Sequence, residues 1–294
     1  MESKISVIIP AKNEAPALTD LLPKLTELYP DFEIIVVDDG STDNTVEVCR
    51  KNNVKVCSHA LNMGNGAAIK TGARIASGEI LVFMDADGQH DPESIPKLLA
   101  KFDDNFEMVV GARRSDSQAT VFRSFANRFY NRLASIMTGF RIEDLTSGFR
   151  AARARHFRKF LYLLPNGFSY PTTITMAFFR AGFPVAYVPI KAKSRVGKSH
   201  IRLFRDGFRF LIIIMKIGAL FSPMRLFLPV SLAMFSLGLS YYTYTFINDH
   251  RFTNMSAILF ISSILTFLIG ILSEQVSALH YKGVEEDQRR IKRT

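Results

Sequence analysis

Asp85 and Asp87 stand one residue apart at the end of a five-residue apolar run, Ile80 to Met84, and are followed by Gly88 and Pro92. Two carboxylates so placed lie on a tight backbone and face one small volume. Like charges that close repel, so the pair needs a cation. Oxygen donors on a loop suit Mg²⁺ or Mn²⁺, which keep further positions for water and substrate phosphates. The chemistry indicated is a metal–diphosphate site. An acidic turn that only closes a strand carries the same Asp-x-Asp, so the surrounding elements have to decide.

The run before Asp85 reads as a buried strand of a parallel sheet. Lys4 to Pro10, Phe32 to Val37, Lys55 to Cys57 and Met108 to Gly111 read as further strands. Helical apolar spacing covers Ala15 to Leu28, and helices are expected from near Asn44, over Ala67 to Ala76 and over Pro92 to Phe102. The alternation predicts an α/β fold with a doubly wound, mostly parallel sheet. Ligands of such sheets bind outside the carboxyl ends of the strands. Three ends run into polar, acidic loops, Asn13-Glu14, Asp38-Asp39 and Asp85-Ala86-Asp87, and their convergence on one edge favours a site over three unrelated turns.

With 294 residues, 48% of them hydrophobic, the chain has ample core material and is not a disordered sequence. Cys49 and Cys57 lack metal spacing and fit a reducing compartment as plain thiols. Charge is divided unevenly: residues 1–112 carry 10 Lys/Arg against 18 Asp/Glu, and residues 113–294 carry 27 against 9. A basic half suits nucleic acid, anionic lipid or a phosphorylated substrate.

Its position favours lipid. Leu226 to Asn248 and Phe252 to Ser273 contain no charged residue, and about 20 apolar helical residues span a hydrocarbon core. They predict a two-helix transmembrane hairpin. Arg205, Arg209, Lys216 and Arg225 precede it; Lys282, Arg289, Arg290, Lys292 and Arg293 follow it. By the positive-inside tendency both flanks are cytoplasmic. Met1 to Lys4 lead straight into a strand without a signal-peptide pattern. Val121 to Phe140 and Ile201 to Phe221 interleave aromatic and aliphatic residues with Arg and Lys, as amphipathic helices on a membrane surface do.

Pro10-Ala11-Lys12-Asn13-Glu14, Val37 to Asp43 and Asp85-Ala86-Asp87-Gly88-Gln89 resemble, in order, the signatures of family-2 glycosyltransferases with the GT-A fold. Gly111-Ala112-Arg113, Asp144 to Arg150 and Arg195 to Ser199 extend the likeness. Within that family the chain resembles the polyprenyl-phosphate hexosyltransferases of the dolichyl-phosphate mannose synthase type. The resemblance implies a nucleotide-sugar donor on Pro10, Lys12, Glu14, Val37, Asp39, Asp85, Ala86 and Arg113, and Mg²⁺ or Mn²⁺ at Asp85, Asp87 and Gln89. Asn62 to Gly66 is glycine-rich without a phosphate-loop pattern and reads as a close-packed loop near the nucleotide. Lys12 stands where many members have Tyr, His200 where many have Lys, and Thr173 where Glu is frequent. No Trp occurs, so the Gln-x-x-Arg-Trp signature of processive synthases is missing and a polymer product is not expected.

The expected reaction is metal-dependent, inverting transfer of one hexose from a GDP-mannose or UDP-glucose type donor to a membrane polyprenyl phosphate. Asp87, Arg113 and Asp144 form the expected catalytic set, with Asp144 either a base or the cap of the Thr146–Gly148 turn. Arg113 and Arg123 are expected to hold phosphates, supported by Ser147 and Arg150, while Arg195 and His200 close over the donor. The expected domains are a catalytic domain at 1–200, juxtamembrane helices at 201–225, the hairpin at 226–279 and a basic cytoplasmic tail at 280–294. Expected partners are the donor, the lipid and the membrane, without nucleic acid; a homo-oligomer is compatible with the chain. The alternatives are transfer to a lipid hydroxyl such as diacylglycerol, or an inactive nucleotide-sugar-binding membrane subunit.

Overall fold

The computed structural model describes residues 4–113, 121–167, 169–190 and 222–291, with positions 212, 215, 218 and 219 between them. Two compact units emerge, the first comprising Met1–Arg132 with Arg141–Phe210. Its strands are β1 (Ile5–Ala11), β2 (Glu33–Asp38), β3 (Lys55–Ser58), β4 (Ile80–Phe83), β5 (Met108–Arg113), β6 (Arg150–Arg153) and β7 (Val185–Ile190). Among the described residues they form one sheet in the order β3-β2-β1-β4-β6-β5-β7. Neighbours run parallel except β6, which is antiparallel to β4 and β5. This is the mostly parallel α/β sheet the alternation predicts, with one inverted strand. Arg150-Ala-Ala-Arg153 has no apolar run, and so gives no strand signal.

Helices α1 (Ala15–Leu28), α2 (Thr45–Lys51), α3 (Asn65–Ile75), α4 (Ile95–Leu99), α5 (Val121–Thr138), α6 (Ala154–Lys159) and α7 (Tyr170–Arg180) complete the unit, the last turn of α5 apart. Pro92 to Phe102, expected as one helix, is instead a 3-10 turn, the short α4 and a second 3-10 turn. Pro96 explains the break: without an N–H it fits only a first turn, so the helix restarts at Ile95.

Apolar strands covered on both faces fill the centre, with Val7, Ile9, Val36 and Val82 fully buried against Leu18, Leu22 and Leu25 of α1. Each such side chain contributes about 1.5–3 kcal/mol on burial, which makes the sheet a rigid carrier for the loops beyond its ends. Register fixes what those loops meet. Phe83 of β4 and Val110 of β5 both pair with Arg150. Because β6 is inverted, its start lies at the carboxyl edge of its neighbours. That places the turn before Arg150 between the Asp85 loop and the end of β5.

The second unit, Leu133–Phe140 with Leu211–Thr294, contains α8 (Pro223–Asp249) and α9 (Asn254–Ile291). Ser231 and Ser263 exchange Oγ–carbonyl hydrogen bonds, both at 2.9 Å, and Gly238 lets Leu259 approach, as small residues do between membrane helices. Among the described residues these two helices are long and apolar enough to cross a membrane. Only 11% and 17% of their most apolar stretches are buried, unlike the core helices of a soluble protein. Arg225 Nη1 donates to Ile136 O at 3.2 Å and Met137 O at 3.1 Å, a cation on the carbonyl end of α5. This unit thus draws residues from α5 as well as from beyond residue 200. The segment expected as a tail continues α9 to Ile291.

Candidate active site

The β4 strand ends at Phe83, and the chain turns through Asp85 and Asp87 to Gly88, whose φ is 71°. Gln89 N donates to Asp87 Oδ1 at 3.2 Å, and Asp91 caps the following turn through Glu93 N. Lys24 of α1 bridges Asp91 at 3.0 Å and Glu93 at 2.9 Å, tying the far end of the loop to the body of the domain.

Asp85 keeps 32% of its side chain exposed, and His90 Nε2 stands 3.6 Å from its Oδ2. Burial works against its charge, but the His90 ring, the Arg113 guanidinium and the Asn65 amide outweigh it and hold the carboxyl below the usual range. His90 is itself buried, stacked on Phe149 at 5.1 Å, with no hydrogen-bond partner for Nδ1 among the described residues. A Cβ on Gly148 would run into the Asp85 carboxylate, so only glycine lets the turn come this close.

Arg113 ends β5 and reaches over that turn. Its Nε donates to Asp144 Oδ2 at 2.9 Å, and its Nη2 to Asp144 Oδ1 at 3.0 Å and Thr146 Oγ1 at 2.6 Å. Asp144 also accepts from the N–H groups of Arg113, Thr146 and Ser147. Burial alone would raise its pKa, but these donors, Arg113 first, lower it. The result is a fork-on-fork pair that fixes one guanidinium near Asp85.

At the end of β2 the carboxylates are spent on the chain itself. Asp38 Oδ1 accepts from Ser41 N at 2.9 Å. Asp39 accepts from His59 Nδ1 at 2.8 Å, Met63 N at 2.8 Å and Gly64 N at 2.7 Å. Oriented to satisfy its neighbours, the Asn62 amide donates to Asp39 Oδ2 at 2.6 Å and accepts from Lys12 Nζ at 2.5 Å. Burial again opposes ionisation, and His59 with the two backbone N–H groups lowers the Asp39 pKa. Asn13, at φ 54°, accepts from Thr42 N and stitches the first loop to the second.

Residues 6–161 match the family model described as Glycosyl transferase family 2. The chain belongs to that family. Residues 222–279 further match the GtrB C-terminal hairpin. Among curated relatives, the undecaprenyl-phosphate 4-deoxy-4-formamido-L-arabinose transferases of Salmonella choleraesuis (strain SC-B67) and Salmonella newport (strain SL254) are 37% identical over 160 residues. The match covers 51% of this chain and 49% of each relative, so the chain spans about half the length of the curated relatives it matches. Among solved structures, glucosyl-3-phosphoglycerate synthase from Mycobacterium tuberculosis with Mn²⁺ and UDP-glucose aligns at TM-score 0.61 and 20% identity, over 74% of this chain and 79% of that one. That likeness supports the fold, a GT-A-like sheet.

As a family-2 member the chain brings Lys12, Glu14, Asp39, Asp85, Asp87, Gln89 and Arg113 to one edge, and sets other expected residues elsewhere. Pro10 and Val37 are cross-strand partners inside the sheet, both buried, and Ala86 faces the core, so none offers its side chain to a donor. Arg150, expected on the acceptor phosphate, is fully buried. Its guanidinium directs four of its five N–H groups to Ser147 O, Pro171 O and Thr175 Oγ1, inside the core. Ser147 is likewise buried, with Oγ directed at Phe149 O. Asp144 caps its turn and anchors Arg113. Arg195, His200 and the side chain of Arg123 lie outside the described residues. His59, Asn65 and His90 were not singled out in the sequence; His59 follows β3, a strand end to which the carboxyl-edge rule applies equally.

The part-exposed Asp85 carboxylate, with Asp87 two residues on, is a donor type that suits a hard cation. Among the described residues no group of three His, Cys, Asp or Glu forms a complete cage. A cation here would take its remaining ligands from water and phosphate, which is the habit of Mg²⁺ and Mn²⁺.

Proposed function

We propose that this chain transfers one sugar from a nucleotide-diphosphate sugar to the phosphate of a membrane polyprenol. The observation that carries the reading is the part-exposed Asp85 beside the pinned Arg113 on one sheet edge. The curated relatives are named for transfer to undecaprenyl phosphate, and the matched hairpin supplies a lipid setting. The donor is of the GDP-mannose or UDP-glucose type and the sugar a hexose, although the relatives are named for an arabinose derivative.

Asp85 and Asp87, with Gln89, would hold Mg²⁺ or Mn²⁺; the glucosyl-3-phosphoglycerate synthase structure is a complex with Mn²⁺ and UDP-glucose. When bound, the ion neutralises the departing diphosphate. Arg113, kept charged and oriented by Asp144, faces the phosphates. A phosphomonoester with a second pKa of about 6 is already largely ionised near neutrality, so the acceptor needs positioning rather than a strong base. Its oxygen attacks the anomeric carbon opposite the leaving diphosphate, with inversion. Arg123 on α5 holds the lipid phosphate, while Arg195 and His200 close over the donor. The basic flanks of the hairpin put the catalytic domain and Thr294 on the cytoplasmic side.

The test is transfer by the purified full chain in detergent, with a nucleotide-sugar panel offered undecaprenyl phosphate, undecaprenol or diacylglycerol. Product with the phosphate alone is expected. Arg123→Ala should raise the KM for lipid about ten- to a hundredfold, leaving donor affinity unchanged. Equal transfer to undecaprenol or diacylglycerol would replace this reading with the hydroxyl-acceptor one.

A further inference from the structure

Asp39 is expected to meet the donor, yet His59, Asn62, Met63 and Gly64 already engage its two oxygens, and its side chain is only 6% exposed. A carboxylate so occupied acts on what it holds. What it holds is the loop opening α3, where Gly64 at φ 99° packs on Asn166 O. Behind it, His59 Nε2 meets Thr71 Oγ1 of α3 at 2.9 Å. Thr71, His59, Asp39, Asn62 and Lys12 thereby form one hydrogen-bonded chain that runs from the helix to the exposed ammonium at the end of β1.

We propose that His59 is a positioning residue for the donor: held by Thr71, it fixes the Asp39 rotamer, which sets the Asn62–Gly64 loop and, through Asn62, the Lys12 ammonium. The inference rests on the nucleotide-sugar reading above. A ring hydrogen-bonded at both nitrogens has one orientation, and the Asp39 carboxylate it meets clasps three successive loop residues, Asn62, Met63 and Gly64. His59 touches neither the Asp85 loop nor Arg113 among its described hydrogen bonds, so its loss should act on donor binding and not on the chemical step.

Two substitutions separate the ring's contacts. The amide nitrogen of Asn overlays Nδ1 of histidine, so His59→Asn keeps the bond to Asp39. The longer His59→Gln overlays Nε2 and loses that bond. Titration calorimetry of UDP and GDP with Mn²⁺ into the full chain should give His59→Asn, which loses only the bond to Thr71, a Kd raised about threefold and His59→Gln a Kd raised about tenfold or more. The donor KM should follow the Kd, with kcat and the lipid KM unchanged. Thermal melts identify a misfolded variant; should His59→Gln melt out, Thr71→Val takes its place, with a Kd raised about threefold.

Wild-type nucleotide affinity in His59→Gln, or in Thr71→Val where that stands in, overturns the proposal. So does a fall in kcat without a change in Kd. If wild type binds nucleotide but glycosylates no polyprenyl phosphate, the acceptor reading falls while the Kd comparison still decides the role of His59. If wild type binds neither nucleotide, both fall.

Discussion

The ends of β2 and β4 lie on the same sheet edge with only β1 between them, and both deliver aspartates into loops. At β2 the Asp39 side chain is 6% exposed and the chain's own donors engage both its oxygens. At β4 the Asp85 side chain is 32% exposed, and its one ion-pair contact among the described residues, His90, stands at 3.6 Å. Both carboxyls are held below their usual range, so the pKa direction alone does not separate them. A histidine leads the stabilisation of both, so the difference lies in exposure and in the backbone. Asp39 is closed off and also held by the Met63 and Gly64 N–H groups, whereas Asp85 stays part-exposed beside His90 and Arg113.

The sharpest break of this contrast comes from Asp87→Asn. Removing a charge beside the diphosphate should lower kcat about 10²–10³-fold while the melting temperature stays close to wild type. Full activity in that variant, or in EDTA, would end the metal assignment.

Asp144→Asn probes the clasp that serves the open site. It leaves Arg113, with 29% of its side chain exposed, without its counter-charge, and should cost about 3 kcal/mol in urea unfolding, the low end for a broken buried pair. Unchanged stability would mean that the pair does not anchor the Thr146–Gly148 turn.

Glu33, at the opposite end of β2, supplies a control for stability without function. Burial alone would raise its pKa, but hydrogen bonds from Ser6, Ser77 and Lys55 lower it from 4.5 to about 2. A depressed carboxyl adds stability above its unfolded pKa and loses it as pH falls toward the folded value, so this contribution should vanish between pH 4.5 and about 2. Glu33→Gln should flatten that acid limb and cost about 2 kcal/mol at pH 7, a figure reduced for the 18% exposure of its side chain. Nucleotide affinity at pH 7 should not move; a change would link the far edge to the site.

The parallel strands were legible because β1, β2 and β4 are dominated by β-branched and aliphatic residues and stop at acidic loops. The hairpin was legible for a similar reason: two uncharged stretches are visible without knowing any contact. β6 was not, since a four-residue strand bounded by arginines earns its place only through pairing with β4 and β5. Arg150 was misread for the same cause. An arginine beside a phosphate motif looks available until the register turns it into the core. Asp39 and Asp85 look alike in sequence, and only long-range partners such as His59 and Gly148 distinguish clasp from open site.

The most direct test of that distinction is Mn²⁺-dependent binding of UDP and GDP, measured by titration calorimetry on wild type, Asp85→Asn and Asp87→Asn. Nucleotide binding should strengthen at least about tenfold on adding Mn²⁺ in wild type, with little or no such gain in either variant. Binding of both nucleotides that is equally tight with and without Mn²⁺ in all three proteins would contradict it.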